Sequence, residues 1–249
     1  MDKDRQEELK RMASELEAAG YGVIHPTQFR IDMEKEFLHL WSKVEPYTMT
    51  SVERGYALYT AVRYVETRGI HGSFVECGVW RGGSCMLAAL TLLQLDITDR
   101  DIYLYDTYTG MPEPGVYDRV AWNNTSLRER GIEDLSSWSV GMDEVAENLR
   151  QTGYPLERIH LIPGKVEETL LDPPRGEIAL LRLDTDWYES TAVELDILYP
   201  RLQPGGVLLI DDYGHFTGAR KAVDDYFAKG KENMFLARVD YTGRVGVKG

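Results

Sequence analysis

The sequence is poor in cysteine, in positive charge and in long apolar runs, and each shortage narrows what the chain does. Its two cysteines, Cys77 and Cys85, flank a glycine-rich turn. So few thiols make no disulfide framework, and the pair is expected to stay reduced. No apolar run nears the roughly 20 residues that a membrane-spanning helix needs, so no membrane role is expected. The stretch from Met1 to Lys10 is charged and lacks the apolar core of a secretory leader, which predicts a cytoplasmic protein. Lys and Arg number 28 against 41 Asp and Glu, a net charge of −13. That excess repels a phosphate backbone and no basic stripe offsets it, so nucleic acid is not an expected partner. A small neutral or cationic substrate is easier to accept, although the acid excess is equally explained as an aid to solubility. No internal repeat or low-complexity tract is visible.

What is present fits an ordinary globular chain of 249 residues, 43% apolar and 28% charged. That length suits one large α/β domain with an appendage, or two small domains. Residues 2–20 carry Leu9, Met12, Leu16 and Ala19 at helical spacing and end in a glycine. A second short helix is predicted over 32–41, broken by Pro46. A third starts at Ser51, a candidate cap, and stops at Gly69. The periodicity then switches. Strands are predicted over 73–77, 101–105, 158–162, 178–183 and 206–210. Helices are predicted over 85–95, 142–150, 189–202 and 218–229, and a closing hairpin over 235–240 and 244–248. Strands alternating with helices imply an α/β fold with a doubly wound, mostly parallel sheet and an antiparallel C-terminal strand. A polar, aromatic stretch runs from Asp106 to Ser139. A loop this long within a compact domain reads as a lid or binding loop, with an ordinary surface insertion as the alternative.

Ligands of open α/β sheets bind beyond the carboxyl ends of the strands. At the first such end, Glu76-Cys77-Gly78-Val79-Trp80-Arg81-Gly82-Gly83-Ser84 places glycines between a strand and a helix. Glycine there permits a tight turn and close backbone approach, and the N–H groups of the helix start favour an anionic group. The glycine spacing is wrong for the dinucleotide fingerprint, and no Lys-Ser/Thr completes a Walker loop. A purely structural turn remains open. Asp106 lies about 23 residues beyond Gly83, near the roughly 20-residue distance at which an acid meets ribose hydroxyls, which suggests a nucleoside.

Asp184 ends the fourth strand, and Asp211 and Asp212 end the fifth. If these strands are neighbours, about 4.8 Å apart, three carboxylates converge above the sheet. Unpaired, they repel and raise one another's pKa. A hard cation (Mg²⁺, Mn²⁺ or Ca²⁺) resolves the conflict, and caps or pairing with Arg182 is the alternative. Such a metal would acidify and orient an alcohol bound to it. Asp186 and His215 are placed to accept its proton, and a solvated loop histidine is the plainer reading of His215.

Four segments, FVECGVWRGGS (74–84), YDTYTGMP (105–112), LRLDTDWYEST (181–191) and LLIDDY (208–213), together resemble the macrocin O-methyltransferase family. The resemblance spans about 47–248. It implies a Rossmann-like class I methyltransferase fold with a seven-stranded sheet, S-adenosylmethionine and Mg²⁺ as cofactors, and methylation of a sugar hydroxyl on a natural product. Carried over by motif, Asp184, Asp211 and Asp212 resemble the metal ligands and Asp186 the general base. Glu76, Gly78, Gly82, Gly83 and Ser84 resemble the methionine-end site and Asp106 the ribose partner. Arg81, Thr107 and Asp184 join the cofactor set. Gly164 and Lys165 resemble the segment lining the adenine side, which Ser139 and Val140 also approach. The family implies a helical segment over 1–70, a catalytic domain over 71–249 with a lid over 107–138, and a homo-oligomer. Residues 1–45 match less well, and His215 lies outside the shared motif, where an acceptor contact, a second base or no role are all open. The expectation is therefore methyl transfer to a hydroxyl of a glycosylated small molecule. An aromatic diol acceptor, with Tyr108, Tyr117 and Trp122 near it, is the alternative. A nucleotide-dependent oxidoreductase and a non-catalytic nucleoside-binding protein are the readings of other classes.

Overall fold

The computed structural model describes residues 3–23, 30–130, 135–173, 176–229 and 234–249. They divide into two compact units, Met1–Lys35 and Glu36–Gly249. In the first, α1 (Lys3–Ala18) ends where Gly20 turns the chain at φ 87°, the glycine stop expected from the sequence. Among the described residues no helix is long and apolar enough to cross a membrane.

The second unit opens within α2 (Lys35–Val44), which buries Phe37, Leu40, Trp41 and Val44. Pro46 then stands at the start of a 3₁₀ turn and ends the helix. Helix α3 (Val52–Thr67) starts at Ser51, whose hydroxyl accepts from the Arg54 N–H, and stops at Gly69 with φ 64°. The strands β1 (Ser73–Cys77), β2 (Ile102–Asp106), β3 (Ile159–Pro163), β4 (Ile178–Leu183), β5 (Leu202–Ile210), β6 (Ala237–Arg238) and β7 (Arg244–Val247) form one sheet in the order β3-β2-β1-β4-β5-β7-β6. The five strands from β3 to β5 run parallel, and β7 enters antiparallel beside β5. This is the doubly wound, seven-stranded α/β fold with the antiparallel C-terminal strand that the residue pattern predicts. Strand β6 pairs over Ala237–Arg238 alone, shorter than the run expected over 235–240.

Helices α4 (Gly83–Gln94), α5 (Met142–Arg150), a single turn α6 (Val166–Thr169), α7 (Tyr188–Leu198) and α8 (Thr217–Lys229) complete the unit. Helix α7 ends earlier than the residue pattern suggests, because Pro200 sits inside a 3₁₀ turn that delivers the chain to β5. Strand β4 is buried along its whole length, as a central parallel strand covered on both faces must be.

The described residues between β2 and α5 are anchored at several points. Val120 bridges Phe216, and Ala121 donates its N–H to the His215 carbonyl at 2.8 Å. Val120, Leu127, Leu135, Trp187, Phe216 and Ala219 make a small apolar core of their own. The buried Asp118 accepts from the Tyr188 N–H at 2.8 Å and the Gly115 N–H at 2.6 Å, tying the stretch to the first residue of α7.

Candidate active site

The switch between β1 and β4 places the glycine-rich turn beside the aspartates. Gly78 leaves β1 at φ 79°, and a Cβ there would collide with the Asp184 carbonyl. The close approach of the two strand ends therefore requires glycine. Gly82 adopts φ 85° at the N-cap of α4, and Gly83 packs against the backbone of Tyr47. The Asp106 carboxylate stitches this turn from β2. Its Oδ2 accepts from the N–H groups of Val79, at 2.7 Å, and Trp80, at 3.2 Å, while Oδ1 accepts from Tyr108.

A cleft of about 290 Å³ opens above these strand ends. Glu76, Gly78, Ser84, Asp106, Val140, Asp184, Asp186, Asp211, Asp212 and His215 all line it. A smaller cavity of about 70 Å³ adjoins it, sharing Gly78 and Asp106 and adding Thr107, Gly164 and Lys165. Arg81, Gly82, Gly83 and Ser139 line neither cavity. Arg81 pairs with Glu144 at 2.8 Å, and the Ser139 hydroxyl donates to the Tyr108 carbonyl at 3.4 Å.

Strands β4 and β5 are parallel neighbours, with Leu183 opposite Ile210, so their C-terminal acids meet. Asp184, Asp211 and Asp212 each offer a carboxylate oxygen, all within 4.8 Å of one another. Asp212 Oδ2 is buried and has no hydrogen-bond partner among the described residues. Desolvation, then the Asp186 and Asp184 charges, pushes Asp212 well above the usual carboxylate range. Desolvation also lifts Asp186 to about 7, against its hydrogen bond with Asp212 and with the Asp184 charge reinforcing it. Asp186 itself stands at φ 68°, a left-handed conformation that a non-glycine residue holds at a cost and that is over-represented at functional sites. An orphaned buried oxygen in an all-carboxylate cluster fits a hard divalent cation.

Two arginines share this site. Arg182, buried in β4, donates through Nη1 to Glu76 Oε1 and Asp184 Oδ2, both at 2.6 Å, and through Nη2 to Asp211. Arg54, from α3, pairs with Asp211 and with Asp240, the latter at 3.0 Å. The arginines thus hold Asp184 and Asp211, while among the described residues Asp212 has no arginine partner. Burial raises Glu76 to about 7 against the pull of Arg182, and the Cys85 thiol donates to its other oxygen at 2.7 Å. Both cysteines are free. The lone arginine of an otherwise apolar strand, IALLRL, is a sequence signal for such a buried cation. Arg54, Thr50 and Tyr241 carry no comparable signal, since they reach the cleft from α3, its approach and the β6–β7 turn.

A doubly wound sheet whose central strand ends carry a glycine turn, an acid on the next strand and a carboxylate cluster is the build of a class I O-methyltransferase. The chain belongs to the macrocin O-methyltransferase family, whose model matches residues 4–246. It is 34% identical over 203 residues to 8-demethyl-8-(2,3-dimethoxy-alpha-L-rhamnosyl)-tetracenomycin-C 4'-O-methyltransferase of Streptomyces olivaceus, covering 82% of this chain and 76% of that one. It is also 34% identical over 183 residues to demethyldecarbamoylnovobiocin O-methyltransferase of Streptomyces niveus, covering 74% of this chain and 68% of that one. The solved structure of the O-methyltransferase NovP superposes with a TM-score of 0.73 at 32% identity, over 81% of this chain and 82% of that one. The protein is thus an O-methyltransferase.

Proposed function

We propose that this enzyme moves the methyl group of S-adenosylmethionine to a hydroxyl of a sugar on a small natural product, with a divalent cation, Mg²⁺ foremost, in the aspartate cluster. The observation that carries the reading is the cluster itself, three carboxylates within 4.8 Å of one another beside the glycine turn. The relatives support the acceptor class, since one is named for a rhamnosyl compound. The two adjoining cavities, joined at Gly78 and Asp106, suit an elongated nucleoside donor. In this reading Glu76 meets the ammonium of the methionine end, Asp106 the ribose, and Gly164 with Lys165 the base. Asp184, Asp211 and Asp212 would hold the cation, which would act as a Lewis acid toward the acceptor hydroxyl. Asp186, which lines the cleft beside the cluster, accepts the hydroxyl proton. Gly110 and Met111 of the stretch after β2 and the Thr48–Thr50 approach to α3 line the same cleft.

Calorimetric titration tests this reading. S-adenosylmethionine is expected to bind in the micromolar range, in Mg²⁺ and in EDTA alike, and NADH not at all. In Asp211→Asn, donor binding should persist while methyl transfer falls by orders of magnitude. Collapse of donor affinity in that variant would mean that the aspartates serve the donor, and no donor binding in any condition would remove the reading.

A further inference from the structure

We propose that Glu194, a buried residue of α7, is a positioning residue for Asp186, which it holds through Thr185 in a strained turn at the edge of the cleft. The inference rests on the reading of Asp186 as the base and deepens it.

The chain folds back on itself at Asp186. Trp187 donates its N–H to the Thr185 carbonyl at 2.8 Å, and Asp186 between them stands at φ 68°. A hydrogen bond from residue i+2 back to residue i, across a positive φ, makes a γ-turn of the rare, strained form. Glycine would take that conformation freely, whereas the aspartate carries a Cβ into it. Such strain persists only where the surroundings over-determine the backbone.

Both neighbours of Asp186 are pinned. On one side Trp187 is buried, packs on Phe216 and donates its indole N–H to the Pro112 carbonyl at 2.9 Å. On the other side the Thr185 hydroxyl donates to Glu194 Oε1 at 2.9 Å. The Ser190 hydroxyl, from the first turn of α7, donates to the Thr185 carbonyl at 3.4 Å. One residue earlier, the Asp184 N–H donates to the Cys77 carbonyl at 2.8 Å and ties the end of β4 to β1. The γ-turn is thus strung between two fixed points, and α7 supplies one of them.

Glu194 is placed for this task and for no contact with a ligand. It is fully buried and lines neither cavity. Its neighbours on α7, Leu195 and Leu198, belong to the apolar core, where a glutamate is seldom found unless it is paired. Desolvation raises Glu194 well above the usual carboxylate range, so it accepts from Thr185 without adding a further charge near the aspartates. A base must stand within hydrogen-bond reach of the proton it takes. A turn held from both sides fixes where Asp186 presents its carboxylate, and the strain is the cost of that placement.

The test is a set of melting temperatures measured at one pH. In the otherwise unaltered protein, Asp186→Gly is expected to melt about 2–4 °C above Asp186→Ala, since a Cβ is disfavoured at positive φ. At an ordinary backbone position the order is the opposite. Combined with Glu194→Leu, the gap should vanish or reverse, the turn having relaxed. Combined with Glu194→Gln, whose amide oxygen still accepts from Thr185, the gap should survive. Thr185→Val, which keeps the branched shape and removes the hydroxyl, should act as Glu194→Leu does and serves if that variant does not fold. A Glu194 that merely adds stability would lower both melting temperatures alike, and an unchanged gap in Glu194→Leu and in Thr185→Val therefore overturns the inference. Equal melting of Asp186→Gly and Asp186→Ala in the unaltered background overturns it too, as does loss of the gap in Glu194→Gln. Titration of the unaltered protein with S-adenosylhomocysteine separates the two levels. If that ligand does not bind while the gap follows Glu194, the donor reading falls and the brace stands.

Discussion

Two buried glutamates show how differently this fold treats the same side chain. Glu76 has an answering cation in Arg182 and a thiol donor in Cys85. Glu194, on α7 and fully buried, has one hydrogen bond, from the Thr185 hydroxyl at 2.9 Å, and its Oε2 has no partner among the described residues. Burial therefore raises Glu194 well above its ordinary value of 4.5. A carboxyl whose folded-state pKa is raised is fully compatible with the fold below its unfolded pKa. Its contribution is lost as pH climbs through the folded value. Glu194→Gln, neutral at every pH, is expected to raise the melting temperature at pH 8 and to lose that advantage near pH 4.5. Thermal unfolding across this range checks it, and a difference independent of pH would mean that Glu194 is not protonated in the native state.

At the scale of elements, the long stretch after β2 is fastened by one carboxylate. Asp118 reaches the Tyr188 N–H at the start of α7 and lies against Gly218 in the first turn of α8, where a Cβ would collide with it. It thus acts as a helix cap supplied from a distant part of the chain. Asp118→Ala is expected to cost about 1–2 kcal/mol, the usual worth of a cap. It should also speed chymotryptic cleavage within 107–130, read by limited proteolysis and mass spectrometry. Unchanged cleavage would show that the small apolar core around Trp187 holds the stretch alone. None of this was legible in the sequence, because Asp118 and Tyr188 are distant in the chain and no periodicity links them. The strands were legible for the opposite reason. Apolar runs such as 178–183 are local, and their parallel arrangement followed from β/α alternation, whereas the strand order did not. The aspartate cluster was legible once β4 and β5 were placed side by side. The arginines beneath it were not, save for the single charged residue of IALLRL, since pairing between Arg54 and Asp211 depends on how α3 is carried over the sheet.

For the whole molecule, an excess of 13 negative charges is concentrated in part at one cleft, so a divalent cation that neutralises it should stabilise the entire second unit. At a Mg²⁺ concentration about 100-fold above its dissociation constant, linkage amounts to about 2.7 kcal/mol. For a chain of this size that is a rise of about 5–10 °C in melting temperature. The shift should disappear with EDTA and shrink strongly in Asp212→Asn, as followed by calorimetry. An equal shift from NaCl at matched ionic strength would assign it to screening instead. The same scale shows what the sheet's borders imply. One border is β3, which closes on Pro163, and the other is β6, only two residues long. Among the described residues the free border of β6 is two residues and that of β3 five, the last a proline that has no amide to donate, so the template on which chains add strand to strand is short on both sides. A second copy that met this sheet at either border would find little backbone with which to continue it.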